Sequence, residues 1–131
     1  MKRCWWLLAL LALGLILSQL SMAAEETTQA KKLNPYTGNP EAIKEGRALF
    51  LQYGCSACHG VGGGGGMGPA VNDEEWKFGS DDETLFKLIK GQIPQQTMPA
   101  VFGNALKDDE IWKILAYVRS LYQGDPSKIN W

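Results

Sequence analysis

The pentapeptide Cys55-Ser56-Ala57-Cys58-His59 constrains this chain more than any other feature, because it holds the one histidine and two of the three cysteines among 131 residues. A single imidazole excludes a His-cluster metal site, a facial triad with two histidines, and an H-E-x-x-H protease. Any role that needs imidazole falls on His59.

The third cysteine belongs to a different segment. Lys2 and Arg3 precede an uncharged apolar run, Trp5 to Leu17, and Ser21-Met22-Ala23 places small residues where a signal peptidase cuts. Residues 1–23 therefore read as a secretory signal. The apolar run is shorter than the roughly 20 residues of a membrane-spanning helix, and Cys4 lies before it rather than at its end, where a lipoprotein cysteine would be. Cleavage removes Cys4 with Lys2 and Arg3, so the thirteen basic residues fall to 13 − 2 = 11 against fourteen acidic ones, a net charge of 11 − 14 = −3. An exported, mildly acidic chain without a basic stripe is a poor partner for nucleic acid, and no membrane insertion is expected after cleavage. The thiols and imidazole that remain are Cys55, Cys58 and His59.

Cys-x-x-Cys-His is the pattern of covalent haem c attachment. Two thiols three positions apart on one turn reach the two vinyl groups on one porphyrin edge, and the next side chain turns its imidazole to the iron. Structural zinc wants four ligands where the mature chain offers three. A thioredoxin-like pair wants a βαβ context that this sequence lacks. A plain disulfide is compatible with export but leaves the histidine without a purpose.

The rest of the chain reads as helices. After a polar leader over residues 24–40, Asn39 offers an N-cap and Pro40 an N1 residue. The segment Glu41 to Tyr53 then sets Ile43, Gly46 with Arg47, Phe50 and Tyr53 along one face before Gly54. Ser80 and Glu83 form a capping box ahead of Leu85, Phe86, Leu88 and Ile89, and Gly91 closes that helix. The strongest period is at the end: Ile111, Ile114, Leu115, Val118, Leu121 and Tyr122, preceded by Asp108, Asp109 and Glu110 and followed by Gly124 and Pro126. No segment alternates with period two. The expectation is an all-α domain over residues 41–124, three to four helices around one cofactor, with a tail over 125–131. The run Gly62 to Gly66 is not a phosphate loop, since no G-K-[ST] follows and no strand precedes it. It allows a tight turn near His59, and it is longer than such a turn needs.

Cys55 to His59, the pair Met98-Pro99 and the amphipathic C-terminal helix with Tyr117 together make residues 41–124 resemble the class I, single-haem c-type cytochromes. The resemblance implies a cytochrome c fold and one covalent haem c on Cys55 and Cys58. It also implies that the first and last helices cross near perpendicular, with Tyr117 packed on the Gly46 and Phe50 face. The carbonyl of Pro69 would accept the Nδ1 hydrogen bond of His59, and electrons would leave by the thioether edge. Lys107 departs from the Ser or Thr that often caps the last helix in the family, which leaves that role to Asp108.

A low-spin carrier needs a sixth ligand, and with no second histidine the thioethers of Met67 and Met98 are the main choices, with lysine a minor third. Met67 lies eight residues past His59 in the glycine run, with little reach to the opposite haem face. Met98 lies thirty-nine residues past it, after a helix and before Pro99, where the family carries its distal ligand. Trp76 either donates its indole N–H to a haem propionate or only packs. Asp73-Glu74-Glu75 is either a solvated face or an acidic docking patch.

The resemblance implies an electron-transfer protein rather than an enzyme: a periplasmic one-electron carrier cycling Fe(III) and Fe(II). The segments Asn34 to Pro40, Gly68-Pro69 with Trp76, and the ending Lys128-Ile129-Asn130-Trp131 resemble small bacterial cytochromes that accept electrons from quinoprotein (PQQ) alcohol and methanol dehydrogenases. A cytochrome oxidase or another cytochrome would be the acceptor. The alternatives are a haem subunit of a larger oxidoreductase and a direct donor to a terminal oxidase.

Overall fold

The computed structural model describes residues 32–130. The signal sequence read over 1–23, residues 24–31 of the polar leader and Trp131 lie outside the described residues. The described part carries five α-helices and no strand: α1 (Pro40–Gln52), α2 (Cys55–His59), α3 (Asp82–Ile89), α4 (Val101–Ala105) and α5 (Asp108–Leu121), followed by a 3₁₀ turn at Pro126–Lys128. None of these helices is long and apolar enough to cross a membrane.

α1 begins as its sequence dictates, with the Asn39 side chain accepting from the Ala42 N–H at 3.0 Å and Pro40 at the first position. Its buried stripe is Ala42, Gly46 and Phe50, spaced by fours, with Ile43 at the margin and Arg47 in solvent. Gly46 lets α1 meet α5 backbone to backbone: a Cβ there would lie 1.9 Å from the carbonyl oxygen of Lys113. One turn on, Phe50 meets Tyr117 edge to face with ring centroids 5.4 Å apart.

α5 is the centre of the core, with Ile111, Ile114, Leu115, Ala116, Tyr117 and Val118 all buried. α3 closes on it through Leu85 and Ile89 and through the stack of Phe86 on Trp112, centroids 4.4 Å apart.

Two helix starts differ from the sequence reading. α3 is capped by Asp81, whose carboxylate accepts from the Thr84 N–H at 2.9 Å, not by Ser80. Ser80 instead uses its hydroxyl to accept from the Asn130 N–H at 2.8 Å, which holds the C-terminal segment down with Ile129 buried. α5 has Lys107, not Asp108, at its N-cap. The missing side-chain cap is offset from the other direction, because the Glu110 carboxylate accepts from the Lys107 backbone N–H at 2.8 Å.

The periodicity gave no hint of the buried ion pair between α3 and α5. Arg119 donates to Asp82, from Nε at 2.8 Å and from one terminal nitrogen at 2.6 Å, and also to the Ser80 carbonyl. The other Asp82 oxygen accepts from the Asn34 N–H at 2.8 Å, while the Asn34 side chain donates to the Trp112 carbonyl at 2.9 Å. The end of the polar leader is thereby bound to both helices.

Candidate functional site

Cys55, Cys58 and His59 share the single turn of α2, which starts from Gly54 in the left-handed region at φ 73°. The i, i+3, i+4 spacing sets the two thiols and the imidazole on adjacent positions of one helical face. Both cysteines are free thiols. Burial pushes the Cys55 thiol above its ordinary value, the opposite of the lowered value that marks a reactive thiolate. No group of three or more His, Cys, Asp or Glu among the described residues is arranged to hold a metal ion.

The imidazole is held in one tautomer. His59 Nδ1 lies 2.8 Å from the carbonyl oxygen of Pro69, and since a carbonyl only accepts, Nδ1 carries the proton. The lone pair is then on Nε2, the nitrogen free to bind iron. The chain reaches Pro69 through the glycine run. Gly65 N–H donates to the His59 carbonyl at 2.8 Å, Gly68 N–H to the Cys58 carbonyl at 2.9 Å, and Val71 N–H to the Gly63 carbonyl at 2.7 Å. Gly63 and Gly65 need positive φ, 74° and 87°. A Cβ on Gly68 would lie 3.1 Å from the imidazole Cε1, so the ring rests on bare backbone. Much of the run that looked excessive is therefore used; a Cβ on Gly62 would meet open space and one on Gly64 only an ordinary contact with the Asn72 amide at 4.0 Å, and nothing in the structure requires glycine at either. α5 pins the same loop, with the Tyr117 hydroxyl donating to the Val61 carbonyl at 3.1 Å.

The two methionines separate cleanly. Met67 is 85% exposed, whereas Met98 is half-buried and packed against the core cluster. Cys55 and Trp76 pack against that same cluster. The Trp76 ring lies 5.8 Å from the Arg119 guanidinium, and its indole Nε1 is buried with no hydrogen-bond partner among the described residues. An orphaned buried donor is costly unless something absent from the protein atoms accepts from it. The residues thus fit a covalently held haem: two free thiols, an imidazole with Nε2 available, a half-buried thioether, and an indole N–H awaiting an acceptor. The structure brings Cys55, Cys58, His59 and Pro69 into direct association; Met98 and Trp76 come from separate segments on the common core.

A family described as "Cytochrome C oxidase, cbb3-type, subunit III" matches residues 41–118. The chain belongs to this family and is a class I, single-haem c-type cytochrome. As such it carries one covalently bound haem c, on Cys55 and Cys58. The cytochrome is 31% identical over 125 residues to cytochrome c-L of Methylorubrum extorquens, covering 90% of this chain and 62% of that protein. It is 29% identical over 125 residues to the cbb3-type cytochrome c oxidase subunit FixP of Sinorhizobium medicae, covering 79% of this chain and 43% of the subunit. The chain thus spans under two thirds of the length of each. Among solved structures, cytochrome cL from the marine methylotrophic bacterium Methylophaga aminisulfidivorans is similar with a TM-score of 0.68 and 39% identity, covering 76% of this chain and 68% of that one. The cytochrome c fold expected from the sequence is present.

Proposed function

We propose that this cytochrome is a periplasmic one-electron carrier that accepts electrons from a quinoprotein (PQQ) alcohol dehydrogenase and passes them to a cytochrome oxidase or another cytochrome of the respiratory chain. The observation that carries the donor assignment is the likeness, at 39% identity and the same fold, to cytochrome cL of a methylotroph. When bound, the haem supplies an Fe(III)/Fe(II) couple. The chain's own residues do the rest. Cys55 and Cys58 would tether the group, His59 and Met98 would ligate its iron, and Pro69, by holding the Nδ1 proton of His59, would leave Nε2 as the donor. Trp76, whose buried N–H has no acceptor among the described residues, would donate to a propionate. Export by the segment 1–23, and a carrier domain over 41–124 that remains outside the membrane, complete the proposal.

The test mixes reduced methanol dehydrogenase with the oxidised holocytochrome in a stopped-flow instrument. Reduction within one dehydrogenase turnover is expected, and its absence would sink the donor assignment. The likeness to FixP and to the cbb3 subunit family favours a second reading, a haem subunit of an oxidase or its direct donor. Co-elution of the native cytochrome with an oxidase complex on size exclusion would select that reading.

A further inference from the structure

Met98 lies on the segment that joins α3 to α4, and that segment is fastened at both ends to the last turn of α3. On the far side, α4 sits so close that a Cβ on Gly103 would be 2.5 Å from the Lys90 carbonyl oxygen, and the Lys90 ammonium donates to the Gly103 carbonyl at 3.3 Å and to Asp108 at 2.9 Å. On the near side, beyond the backbone bonds of Gly91 to Leu88 and of Gln92 to Lys87, the side chain of Gln96 does the fastening. Its Oε1 accepts from the Ile93 N–H at 2.9 Å, and its Nε2 donates to the Leu88 carbonyl at 2.9 Å and to the carbonyl of Met98 itself at 2.8 Å. Two carbonyls on one end and an N–H on the other leave the amide a single consistent orientation. The residue before it, Gln95, takes φ 61°, a backbone position that a side chain other than glycine occupies at a cost. The chain accepts that cost where it folds Gln96 back onto Leu88 and Met98.

We infer that Gln96 is the positioning residue of the Met98 thioether: by tying the Met98 carbonyl to the end of α3 it sets how readily the sulfur gives way to another ligand. The inference rests on the reading of Met98 as the sixth ligand. A thioether is neutral and a weak donor, so its hold on the iron depends on how much of the time the loop is closed. An outside ligand that needs the open loop binds with an apparent dissociation constant equal to its intrinsic value divided by the open fraction. Loss of one hydrogen bond of ordinary strength raises that fraction about fivefold, and loss of both Nε2 bonds more.

The experiment titrates imidazole into the ferric holoproteins, following the far-red methionine-to-iron charge-transfer band, for wild type, Gln96→Leu, Gln96→Glu, Met98→Ala and the core control Ile114→Val. Both Gln96 variants are expected to bind imidazole about fivefold or more tightly than wild type. Gln96→Glu places a carboxylate oxygen against two carbonyls while keeping the acceptor for Ile93, and it carries the test alone if Gln96→Leu yields no holoprotein. Met98→Ala is expected to lack the band, and Ile114→Val, though less stable, to keep wild-type imidazole affinity. Gln96 variants that gain less than fivefold, beside a Met98→Ala protein without the band, would overturn the role of Gln96 and leave the ligand assignment standing. A Met98→Ala protein that keeps the band would overturn the ligand assignment itself.

Discussion

The contact at Gly46 predicts what a single methyl group would do to this fold. In Gly46→Ala the new Cβ would lie 1.9 Å from the Lys113 carbonyl oxygen and 2.5 Å from its carbon, whereas real Cβ atoms essentially never come within 3.0 Å of a non-bonded heavy atom. These are backbone atoms of α5, held in its hydrogen-bond ladder, so they cannot swing aside. The helices must part by at least 3.0 − 1.9 = 1.1 Å along that direction. A gap of that order removes a quarter to a half of the dispersion energy of the atoms lining it, and overpacking of this kind costs about 1–3 kcal/mol. Separation also weakens the Phe50–Tyr117 edge contact, worth about 0.5–1.5 kcal/mol. Against this, alanine is better than glycine in a helix by about 1 kcal/mol. The net loss is about 2 kcal/mol, or a fall in Tm of about 8–16 °C for a domain of this size. The assay is denaturant unfolding of the ferric holoprotein followed by far-UV circular dichroism. A Gly46→Ala protein as stable as wild type would refute the reasoning, because it would mean that α1 and α5 do not meet at this glycine.

Three further predictions follow from the buried pair, the indole and the C-terminal segment. Asp82→Ala removes the carboxylate that balances the buried Arg119 charge and is expected to cost about 3–5 kcal/mol in the same unfolding assay; a loss below about 1 kcal/mol, the usual worth of an exposed pair, would mean that the pair is not buried. Trp76→Phe keeps an aromatic side chain but removes the indole N–H, so the reduction potential should move; an unchanged potential would reduce Trp76 to packing. Lys128 and the Asp125 backbone N–H hold the exposed Glu74 carboxyl below its ordinary value. A lowered value means that this stabilisation is complete above the ordinary carboxylate range and is lost as pH falls through the folded-state value. Hydrogen exchange at Ile129 and Asn130, corrected for intrinsic rate, should therefore accelerate under acid conditions in wild type, and Glu74→Gln should exchange fast at all pH values; a pH-independent wild type would contradict this.

Several residues show where the reading of the chain stopped short. Ser80 and Asp81 are both good caps one position apart, and the choice turned on Asn130, fifty residues away, which engages the Ser80 hydroxyl. α2 and α4 span five residues each, too short for a 3.6-residue period to declare itself. Gln96 resembles any polar loop residue until its amide is seen between Leu88, Ile93 and Met98.

The features the sequence determined alone are those encoded by short spacing: the thiols and imidazole at i, i+3 and i+4, the Asn39-Pro40 start of α1, and the apolar stripe of α5. Each depends only on helix geometry, which any string of residues at that spacing must obey. The tertiary structure alone decided the rest. A charged residue is read as solvent-facing unless its partner is known, and Asp82 and Arg119 are thirty-seven positions apart. The tautomer of His59 depends on a carbonyl ten residues on, brought to it by glycines whose φ values no pattern displays. Local spacing thus specified where the haem is attached, and long-range contacts specified the orientation of the groups around it, because those contacts exist only once the chain has closed on itself.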